Sequence, residues 1–339
     1  MKILVTGGSG FIGSHFVRNM LTSSENIELY NFDKLTYAAN KNTLQEFKDD
    51  PRYFFYNIDI THQEEIESKI GEILPDRIIH FAAESHVDRS IDGPKDFINT
   101  NIIGTFNLLE VCRKLLGSNQ LNQSFIFHHI STDEVFGDLD LEGDDAFSED
   151  TRYDPSSPYS ASKAASDHLV RSWSRTYGMK HLITNCSNNF GPYQHPEKLI
   201  PKTIINAMQG ISIPIFGHGN QVRDWLYVSD HISAISQLMR ADSFNETYNI
   251  GGNNEMANVD LVKRILSIMA NDFKFSASLH NLIEFVDDRL GHDQRYAINS
   301  NKISADLGWS SRLDQDEALR ETIDWYLNNE SWWRAFSGN

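Results

Sequence analysis

The glycine-rich segment near the amino terminus constrains the fold of this chain more than any other feature. An apolar run, Ile3–Thr6, leads directly into residues 7–13, and a helical pattern follows. Gly7, Gly10 and Gly13 therefore lie at the turn between a buried strand and a helix. Residues without a side chain let the backbone approach a pyrophosphate at the positive end of that helix. An ordinary tight turn between a strand and a helix is the alternative interpretation.

The second predicted strand, Ile27–Asp33, ends on a carboxylate. Asp33 lies twenty residues past Gly13, which is the separation at which dinucleotide-binding folds place an acid against a ribose diol. A carboxylate at this position accepts hydrogen bonds from the diol and repels a 2'-phosphate. The pattern therefore predicts a dinucleotide site that takes NAD rather than NADP.

Strand-length apolar runs alternate with amphipathic helical stretches over the first 190 residues. This alternation is typical of a parallel sheet that is covered by helices on both faces. We therefore predict an α/β fold with a doubly wound, Rossmann-type parallel sheet. The predicted strands are Ile3–Thr6, Ile27–Asp33, Tyr53–Asp59, Arg77–Ala83, Phe125–Thr132 and His181–Asn188, and the predicted helices are 11–23, 61–73, 94–116 and 157–178.

The pattern changes after Asn189, where shorter helical segments and isolated strands replace the regular alternation. A length of 339 residues fits about two packed units, so we predict a second, smaller mixed α/β domain. The first domain, which binds NAD, is expected to comprise 1–190 and 224–252, and the substrate domain 191–223 and 253–339. The elements predicted beyond Asn189 are helices over 199–209, 230–241, 258–271 and 314–328, and a strand over 247–250.

Composition excludes several classes of partner and site. The formal charge of −17 argues against a nucleic acid bound through its phosphates. The sequence has no run of about 18 apolar residues and opens on a buried strand, so we expect neither a membrane span nor export. Cys112 and Cys186 are too few for a disulfide framework or a paired-cysteine metal site, which favours buried thiols in a cytoplasmic protein. The acidic stretch Asp138–Asp150 is expected to be a solvated loop.

A tyrosine and a lysine four residues apart form the next candidate site. Tyr159 and Lys163 follow two prolines and should lie in the first turns of a helix, where positions i and i+4 share a face. A nearby ammonium favours the phenolate and so prepares the phenol as a general base for an alcohol. This spacing also arises by chance on amphipathic helices. The preceding strand end at Ser131-Thr132, in a chain with a dinucleotide loop, favours the functional interpretation.

Longer motifs resemble the extended short-chain dehydrogenase/reductase superfamily that acts on nucleotide sugars. Within that superfamily the chain looks like a member of the dTDP-glucose 4,6-dehydratase family, and the match extends through most of the sequence. Motifs of this length are highly specific. They are Asp33–Tyr37, Ala82–Ser90, Thr100-Asn101, Ser131–Val135, Asn185–Asn189 and Arg223–Val228.

Two adjacent carboxylates, Asp133 and Glu134, follow the predicted strand that ends at Thr132. Ligands bind at the carboxyl ends of strands in open α/β sheets, although adjacent acids there are more often a solvated turn or a helix cap. An elimination between C5 and C6 of a sugar needs an acid and a base, and two carboxylates in different surroundings supply both protonation states. The resemblance assigns the acid to Asp133 and the base to Glu134.

The resemblance also implies a reaction without net oxidation. Tyr159 takes the proton of the sugar 4-hydroxyl, Thr132 hydrogen-bonds the same oxygen, and Lys163 holds the ribose and the phenolate while hydride passes from C4 to NAD. Glu134 then removes the C5 proton, Asp133 protonates the departing C6 hydroxyl, and the hydride returns to C6. The expected products are dTDP-4-keto-6-deoxyglucose and water, and the cofactor must stay bound between the two hydride transfers.

The remaining binding residues follow the same family pattern, and no metal site is expected. A diphosphate needs local positive groups in a chain of net charge −17. The expected NAD-binding residues are Gly7, Gly10, Phe11, Ile12, Gly13, Asp33, Lys34, Leu35, Thr36, Asp59, Ile60, Ala82, Ala83, Ser85, Thr100, Tyr159, Lys163 and Asn189. The expected substrate-binding residues are Ser85, Thr132, Asn188, Lys198, Leu199, Pro214, Phe216, Arg223, Asn258, Arg289 and His292.

The chain departs from the family pattern near the expected nucleotide pocket, but no departure removes a catalytic group. Loss of a phenol at Phe216 and of a guanidinium at Gln294 leaves a UDP-sugar 4,6-dehydratase open as an alternative. The departures are Phe136, Phe190 and Phe216 in place of tyrosines, Leu290 in place of proline, Gln294 in place of arginine, and Ala39 in place of glycine.

Two further alternatives and an assembly follow from the same comparison. A nucleotide-sugar 4-epimerase or uronic acid decarboxylase shares the oxidation step, and a scaffold that senses NAD is the non-enzymatic alternative. A scaffold has no chemical use for the intact set of catalytic residues. The helices 94–116 and 157–178 resemble those that pair across a two-fold axis in this superfamily, so we expect a homodimer through a four-helix bundle.

Overall fold

The computed structural model describes residues 1–23, 26–241 and 243–336, so the last three residues of the predicted second domain lie outside the described part. A π-helical stretch, Ile98–Gly104, connects the helices Pro94–Phe97 and Thr105–Gly117. The strands are β1 (Lys2–Thr6), β2 (Glu28–Phe32), β3 (Tyr53–Tyr56), β4 (Arg77–His80), β5 (Ile126–Thr132), β6 (His181–Cys186), β7 (Asn188–Phe190), β8 (Ile213–Phe216), β9 (Val222–Tyr227), β10 (Glu246–Ile250), β11 (Glu255–Ala257) and β12 (Ile283–Val286). The helices are α1 (Phe11–Ser23), α2 (Gln63–Ile73), α3 (Val87–Asp92), α4 (Pro94–Phe97), α5 (Thr105–Gly117), α6 (Pro158–Tyr177), α7 (Leu199–Gln209), α8 (Val228–Arg240), α9 (Asn258–Asp272), α10 (Asn301–Leu307), α11 (Gln315–Asn328) and α12 (Glu330–Arg334).

Seven strands form one parallel sheet in the order β10-β6-β5-β4-β1-β2-β3, which confirms the predicted doubly wound fold. In the interior strand β1, Ile3 lies opposite Leu29 of β2 and Arg77 of β4. The chain moves outward from β1 to β3 on one side and resumes at β4 on the other side. The loops after β1 and β4 therefore separate and leave a crevice at the carboxyl edge of the sheet, where ligands bind in such folds.

Helices cover both faces of this sheet. On one face α2, α5 and α6 pack over a core that contains Leu4, Ile78 and Phe127. On the other face α1 packs against α8, and Ile3 and Val5 belong to the core beneath these two helices. Successive side chains of a strand point to opposite faces, so β1 contributes to both cores. A strand buried on both faces has a continuous apolar sequence rather than an alternating one.

Most predicted boundaries agree with the structure, and the differences have identifiable causes. Helices α1 and α7 occupy the predicted 11–23 and 199–209. The predicted helix 94–116 is helical throughout but changes to π geometry over Ile98–Gly104. The prediction of one strand over His181–Asn188 is wrong, because β6 ends at Cys186 and Asn188 begins β7 in a different sheet.

The strand predicted over 247–250 is not isolated. β10 pairs in parallel with β6, with Thr247 opposite Ile183, and forms one edge of the large sheet. Together with α8, which packs on α1, this strand returns the chain to the first unit after a long excursion.

Two small sheets and three helices build a second core. One sheet has the order β11-β9-β7 and the other pairs β12 with β8, and α7, α9 and α11 pack against one another beside them. Their buried side chains include Ile204, Leu266 and Leu319. The expected domain boundary near residue 224 falls within β9, and the domain limits stay a prediction.

Other expectations concern the surface and the thiols. No helix among the described residues is long and apolar enough to cross a membrane. Cys112 and Cys186 are free and buried, as expected. The acidic stretch Asp138–Asp150 is mostly exposed, but Phe147 within it is buried and bridges to Ile298.

Candidate active site

A cavity of about 300 Å³ occupies the crevice at the carboxyl edge of the large sheet. Its wall combines the glycine-rich loop, the ends of β2, β4, β5 and β6, the start of α6 and the segment before α7. Sixteen of the residues predicted to bind NAD line it: Gly7, Gly10, Phe11, Ile12, Gly13, Asp33, Lys34, Thr36, Ile60, Ala82, Ala83, Ser85, Thr100, Tyr159, Lys163 and Asn189.

The glycine-rich loop is held against neighbouring backbone so closely that side chains do not fit. Gly7 has a φ of +73°, and a Cβ on it would lie 2.6 Å from the Ala82 amide nitrogen. A Cβ on Gly13 would collide with the carbonyl oxygen of Gly7. Helix α1 begins at Phe11, and the first amides of a helix have no acceptor within it. The loop therefore has the shape and the free amides that a pyrophosphate requires.

Asp33 is fixed at the end of β2 by backbone donors. Its carboxylate accepts hydrogen bonds from the amides of Ser9 at 2.9 Å and Leu35 at 2.8 Å. Leu35 is not part of the cavity wall. Asp59 is also outside the wall and lies 3.7 Å from the ammonium of Lys34.

Thr132 and Tyr159 bring two hydroxyl groups to the cavity from different elements. Thr132 ends β5, and its Oγ1 accepts a hydrogen bond from the Glu134 amide at 3.3 Å. Tyr159 lies in the first turn of α6, whose start is fixed by a capping box between Ser157 and Ser160. Burial raises the pKa of Tyr159 well above its usual value and the charge of Glu134 adds to the rise, whereas a hydrogen bond with Thr132 lowers it.

The Lys163 ammonium contacts residues of β5. It donates to the Ile130 carbonyl oxygen at 2.8 Å and lies 3.3 Å from His129 Nε2. Burial lowers the pKa of Lys163 to about 8. Burial and nearby carboxyl groups raise the pKa of Tyr159 in this arrangement, and the expected lowering by the ammonium stays a prediction.

The two adjacent carboxylates have different surroundings. Asp133 is 1% exposed, and its Oδ2 has no hydrogen-bond partner among the described residues. Burial raises its pKa well above the usual value, and the charge of Glu134 acts in the same direction. Glu134 lines the cavity; burial also raises its pKa, but the positive charges of Arg289 and Arg223 oppose the rise.

The predicted substrate residues form two groups. Ser85, Thr132, Asn188 and Lys198 line the cavity, and the Lys198 ammonium donates to the Ser85 carbonyl oxygen at 3.3 Å. The others lie outside the cavity wall defined by the described residues, in the loops and strand ends of the second core: Leu199, Pro214, Phe216, Arg223, Asn258, Arg289 and His292.

Loops around the two small sheets bring the second group together. The backbone amide of Asn258 donates a hydrogen bond to the Gln221 carbonyl oxygen at 3.0 Å. The side-chain amide of Gln221 donates to the Asp288 carboxylate at 3.0 Å. His292 contacts the same Asp288 carboxylate at 2.6 Å. Arg289 lies in this loop, so its positive charge reaches Glu134 from the second core.

The departures from the family pattern are not all in one place. Phe136 and Phe190 are buried, whereas Phe216 is 41% exposed and Leu290 is 77% exposed. Ala39 lines the cavity.

Known proteins of similar sequence match the chain along nearly its whole length. A family model described as GDP-mannose 4,6 dehydratase matches residues 4–322. The dTDP-glucose 4,6-dehydratase of Neisseria meningitidis is 51% identical over 340 residues, which covers 98% of this chain and 95% of that protein. The chain belongs to the dTDP-glucose 4,6-dehydratase family.

Solved structures agree with this family assignment. The dTDP-glucose 4,6-dehydratase of Bacillus anthracis, in complex with NAD, is 42% identical with a TM-score of 0.88 and covers 99% of each chain. The UDP-glucose 4-epimerase of Thermotoga maritima, with UDP-glucose, is 26% identical with a TM-score of 0.84, covering 97% of this chain and 100% of that one. The fold is thus shared with epimerases.

The structure also places in the cavity wall residues that were not among the predicted site residues. Glu84, Cys186 and Glu197 line the cavity, and Glu197 lies 3.4 Å from His86 and 3.5 Å from His195. The only sequence signal for Glu197 was its position immediately before Lys198. Among the described residues no cluster of three or more His, Cys, Asp or Glu side chains could hold a metal ion.

The shape of the glycine-rich loop generates a test. Gly13→Ala places a methyl group against the Gly7 carbonyl oxygen, and overpacking of this kind costs ~1–3 kcal/mol. We expect the variant to lose most of its bound dinucleotide, measured by releasing and quantifying nucleotide from the purified protein. Gly71→Ala on α2 is the control, because no atom lies within 4 Å of the added carbon. A full complement of nucleotide in Gly13→Ala would contradict the proposed role of the loop.

Proposed function

We propose that the chain is a lyase that converts dTDP-glucose into dTDP-4-keto-6-deoxyglucose and water. The observation that carries this proposal is the pair Asp133 and Glu134, which follows β5 and acts electrostatically on Tyr159. An epimerase has no use for an acid and a base at this position. The match to dTDP-glucose 4,6-dehydratases over 98% of the chain supports the same reaction.

NAD is the cofactor of this reaction, and the residues present fit it. Gly7 and Gly13 have no room for a side chain, and Asp33 offers a buried carboxylate at the end of β2. Asp33 would hold the adenosine ribose, and Lys163 the ribose nearer the reacting ring. When bound, NAD supplies the positively charged ring that takes two electrons from C4 of the sugar and later returns them to C6.

Tyr159 is the proposed base for the sugar 4-hydroxyl, with Thr132 as the second hydrogen-bond partner of that oxygen. Because burial raises the pKa of this phenol, its deprotonation needs positive charge nearby. Lys163, one turn further along α6, is the cation that this chain itself provides. Oxidation at C4 makes the C5 proton acidic, which prepares the elimination.

Asp133 and Glu134 are the proposed acid and base of that elimination. Burial raises the pKa of Asp133 well above its usual value, which favours the protonated form that the departing C6 hydroxyl requires. Glu134 faces the positive charges of Arg289, Arg223 and Lys198, which favour its ionised form. The more readily ionised carboxylate therefore takes the C5 proton.

The second core is the proposed anchor for the nucleotide diphosphate. Lys198 precedes α7, Arg223 lies in β9 and Arg289 follows β12, which supplies positive charge from several directions in an otherwise acidic protein. His292, which also follows β12, would add a ring nitrogen as a hydrogen-bond partner. Ser85 and Asn188 would contact the sugar. Leu199, Pro214, Phe216 and Asn258 complete the proposed nucleotide site.

A UDP-sugar 4,6-dehydratase is the second candidate, because Phe216 and Gln294 lack polar groups that the family commonly has. The exposed ring of Phe216 provides a surface for a base but no hydroxyl. Specificity for dTDP then depends on contacts other than these two side chains.

A homodimer in a reducing, cytoplasmic setting completes the proposal. Apolar side chains are exposed on the two helical segments expected to form the bundle, with Ile98 44% exposed, Ile103 43% exposed and Tyr177 52% exposed. These segments pack against each other within one chain through α5 and α6. Free thiols at Cys112 and Cys186 fit a reducing compartment.

The proposed bundle predicts a mass and a way to change it. Light scattering at micromolar concentration is expected to give twice the chain mass of 38.7 kDa. Ile103→Asp places a charge in the proposed contact and should shift the mass toward the monomer. Phe285→Asp changes an exposed residue of β12, outside the proposed bundle, and should leave the dimer intact. A monomeric wild-type protein would count against the bundle.

Two variants separate the two stages of the proposed reaction. Glu134→Gln keeps the side-chain size but removes the base, so dTDP-glucose should be oxidised at C4 without elimination, and enzyme-bound NADH should accumulate. Tyr159→Phe removes the first base and should produce no NADH. Loss of a general base typically costs about 100- to 10,000-fold in rate, which stopped-flow absorbance and mass spectrometry of the water-loss product can measure.

Matched controls define the outcomes of this experiment. Glu142→Gln, in the exposed acidic loop, should dehydrate dTDP-glucose at the wild-type rate. Faster dehydration of UDP-glucose than of dTDP-glucose by the wild type would favour the second candidate. Near wild-type dehydration by Glu134→Gln would make Glu134 a bystander, whereas conversion of the sugar by the wild type without loss of water would favour an epimerase.

A further inference from the structure

One face of α6 carries ionisable side chains at a spacing of four residues. They are Tyr159, Lys163, Asp167 and Arg171, and positions four apart share a helix face. The first two line the cavity and belong to the proposed reaction. Asp167 is completely buried and has no part in the steps described above.

Asp167 meets three groups on neighbouring elements. Its Oδ2 accepts hydrogen bonds from Ser131 Oγ and from the Tyr153 hydroxyl, both at 2.8 Å. Burial raises the pKa of Tyr153, so this phenol stays protonated as a donor. Oδ1 lies 3.2 Å from His129 Nε2 but has no hydrogen-bond partner among the described residues. One carboxylate oxygen is therefore fixed by hydroxyls while the other faces an imidazole.

The same imidazole nitrogen reaches the lysine of the active site. His129 Nε2 lies 3.3 Å from Lys163 Nζ. His129 and Ser131 are two residues apart on β5, so both project from the strand face that α6 covers. A single ring nitrogen thus contacts both the ammonium of Lys163 and the carboxylate of Asp167.

Lys163 and Asp167 carry opposite charges on either side of the His129 ring, and all three side chains are buried. We call these three residues the line. Burial lowers the pKa of His129 to about 4, so the ring is neutral near pH 7. Burial opposes ionisation of Asp167, but the adjacent His129 and the charges of Lys163 and Arg171 prevail, and the pKa of Asp167 is lowered. Burial also lowers the pKa of Lys163, and the charge of Asp167 is the largest influence that opposes this fall.

We propose that Asp167, acting through His129, is a positioning residue that keeps Lys163 cationic one helical turn from Tyr159. The inference rests on the proposed function, in which the phenol of Tyr159 needs a nearby positive charge. Without the Asp167 carboxylate, the buried ammonium would lose its proton at a lower pH. The base for the 4-hydroxyl would then lose the cation that supports it.

Other ionisable groups facing this line do not replace Asp167. The His80 ring on β4 lies 5.1 Å from the His129 ring centroid, and burial lowers its pKa well below the usual value, so it is uncharged near pH 7. Cys186 on β6 keeps its proton because burial raises its pKa to about 12. Arg171 is a cation and cannot favour a second one.

The test compares the pH dependence of dTDP-glucose dehydration in Asp167→Asn and in wild type, from about pH 6 to about pH 10. The functional state carries protonated Lys163, so activity is present below the pKa of Lys163 and is lost as the pH rises through it. Removing the carboxylate should move the midpoint of that loss to lower pH by about one unit or more. The KM for dTDP-glucose and the amount of NAD released per subunit should be unchanged.

Three further variants control for a structural role. Tyr153→Phe removes one hydroxyl from Asp167 but leaves its charge, so the midpoint should match wild type. Asp167→Glu retains the charge and should restore the alkaline midpoint. If Asp167→Asn does not fold, His129→Asn removes the bridging ring and should move the midpoint in the same direction.

The outcomes separate this inference from the proposed function. A wild-type midpoint in Asp167→Asn, or in His129→Asn where the first variant does not fold, overturns the positioning role. An equal loss of activity at every pH also overturns it, since that result indicates a purely structural contact. A wild-type protein that dehydrates no nucleotide sugar overturns the proposed function itself.

Discussion

Burial of ionisable groups at one edge of a parallel sheet is the constraint on which the rest of the structure depends. All seven strands run in the same direction, so the polar residues that follow β1, β2, β4 and β5 converge there. A buried charge without a partner is costly. Backbone groups therefore hold Asp33 through two amides and Lys163 through the Ile130 carbonyl oxygen.

Unequal surroundings at this edge give neighbouring groups of one type different chemistry. Asp133 and Glu134 are adjacent in sequence, but only Glu134 lines the cavity, where cations of the second core favour its ionised form. Asp133 is enclosed, and burial raises its pKa well above the usual value. The second core thus contributes more than the proposed nucleotide site, because its positive charges influence a carboxylate that follows a strand of the large sheet. Oxidation and elimination can then share one cavity.

Local sequence patterns predicted the large sheet, α1 and the residues around the cavity. They did not predict contacts between segments that are far apart in the sequence. The continuous run His181–Asn188 gave no sign that the strand would end before Ser187, whose amide bonds to the Ile250 carbonyl oxygen at 3.0 Å. Asp167 shows the same limit: its spacing from Tyr159 is visible in sequence, but its contact with His129 depends on how α6 packs on β5. The position of the Lys163 ammonium likewise depended on that packing.

The central claim is that one hydrogen is removed from C4 and returned to C6 within a single enclosed site. The most direct measurement uses dTDP-glucose deuterated at C4 in ordinary water, with the label located in the product by mass spectrometry and NMR. The account predicts deuterium at C6 of the 4-keto-6-deoxy product, without net release of reduced cofactor. A product without deuterium at C6 would contradict it.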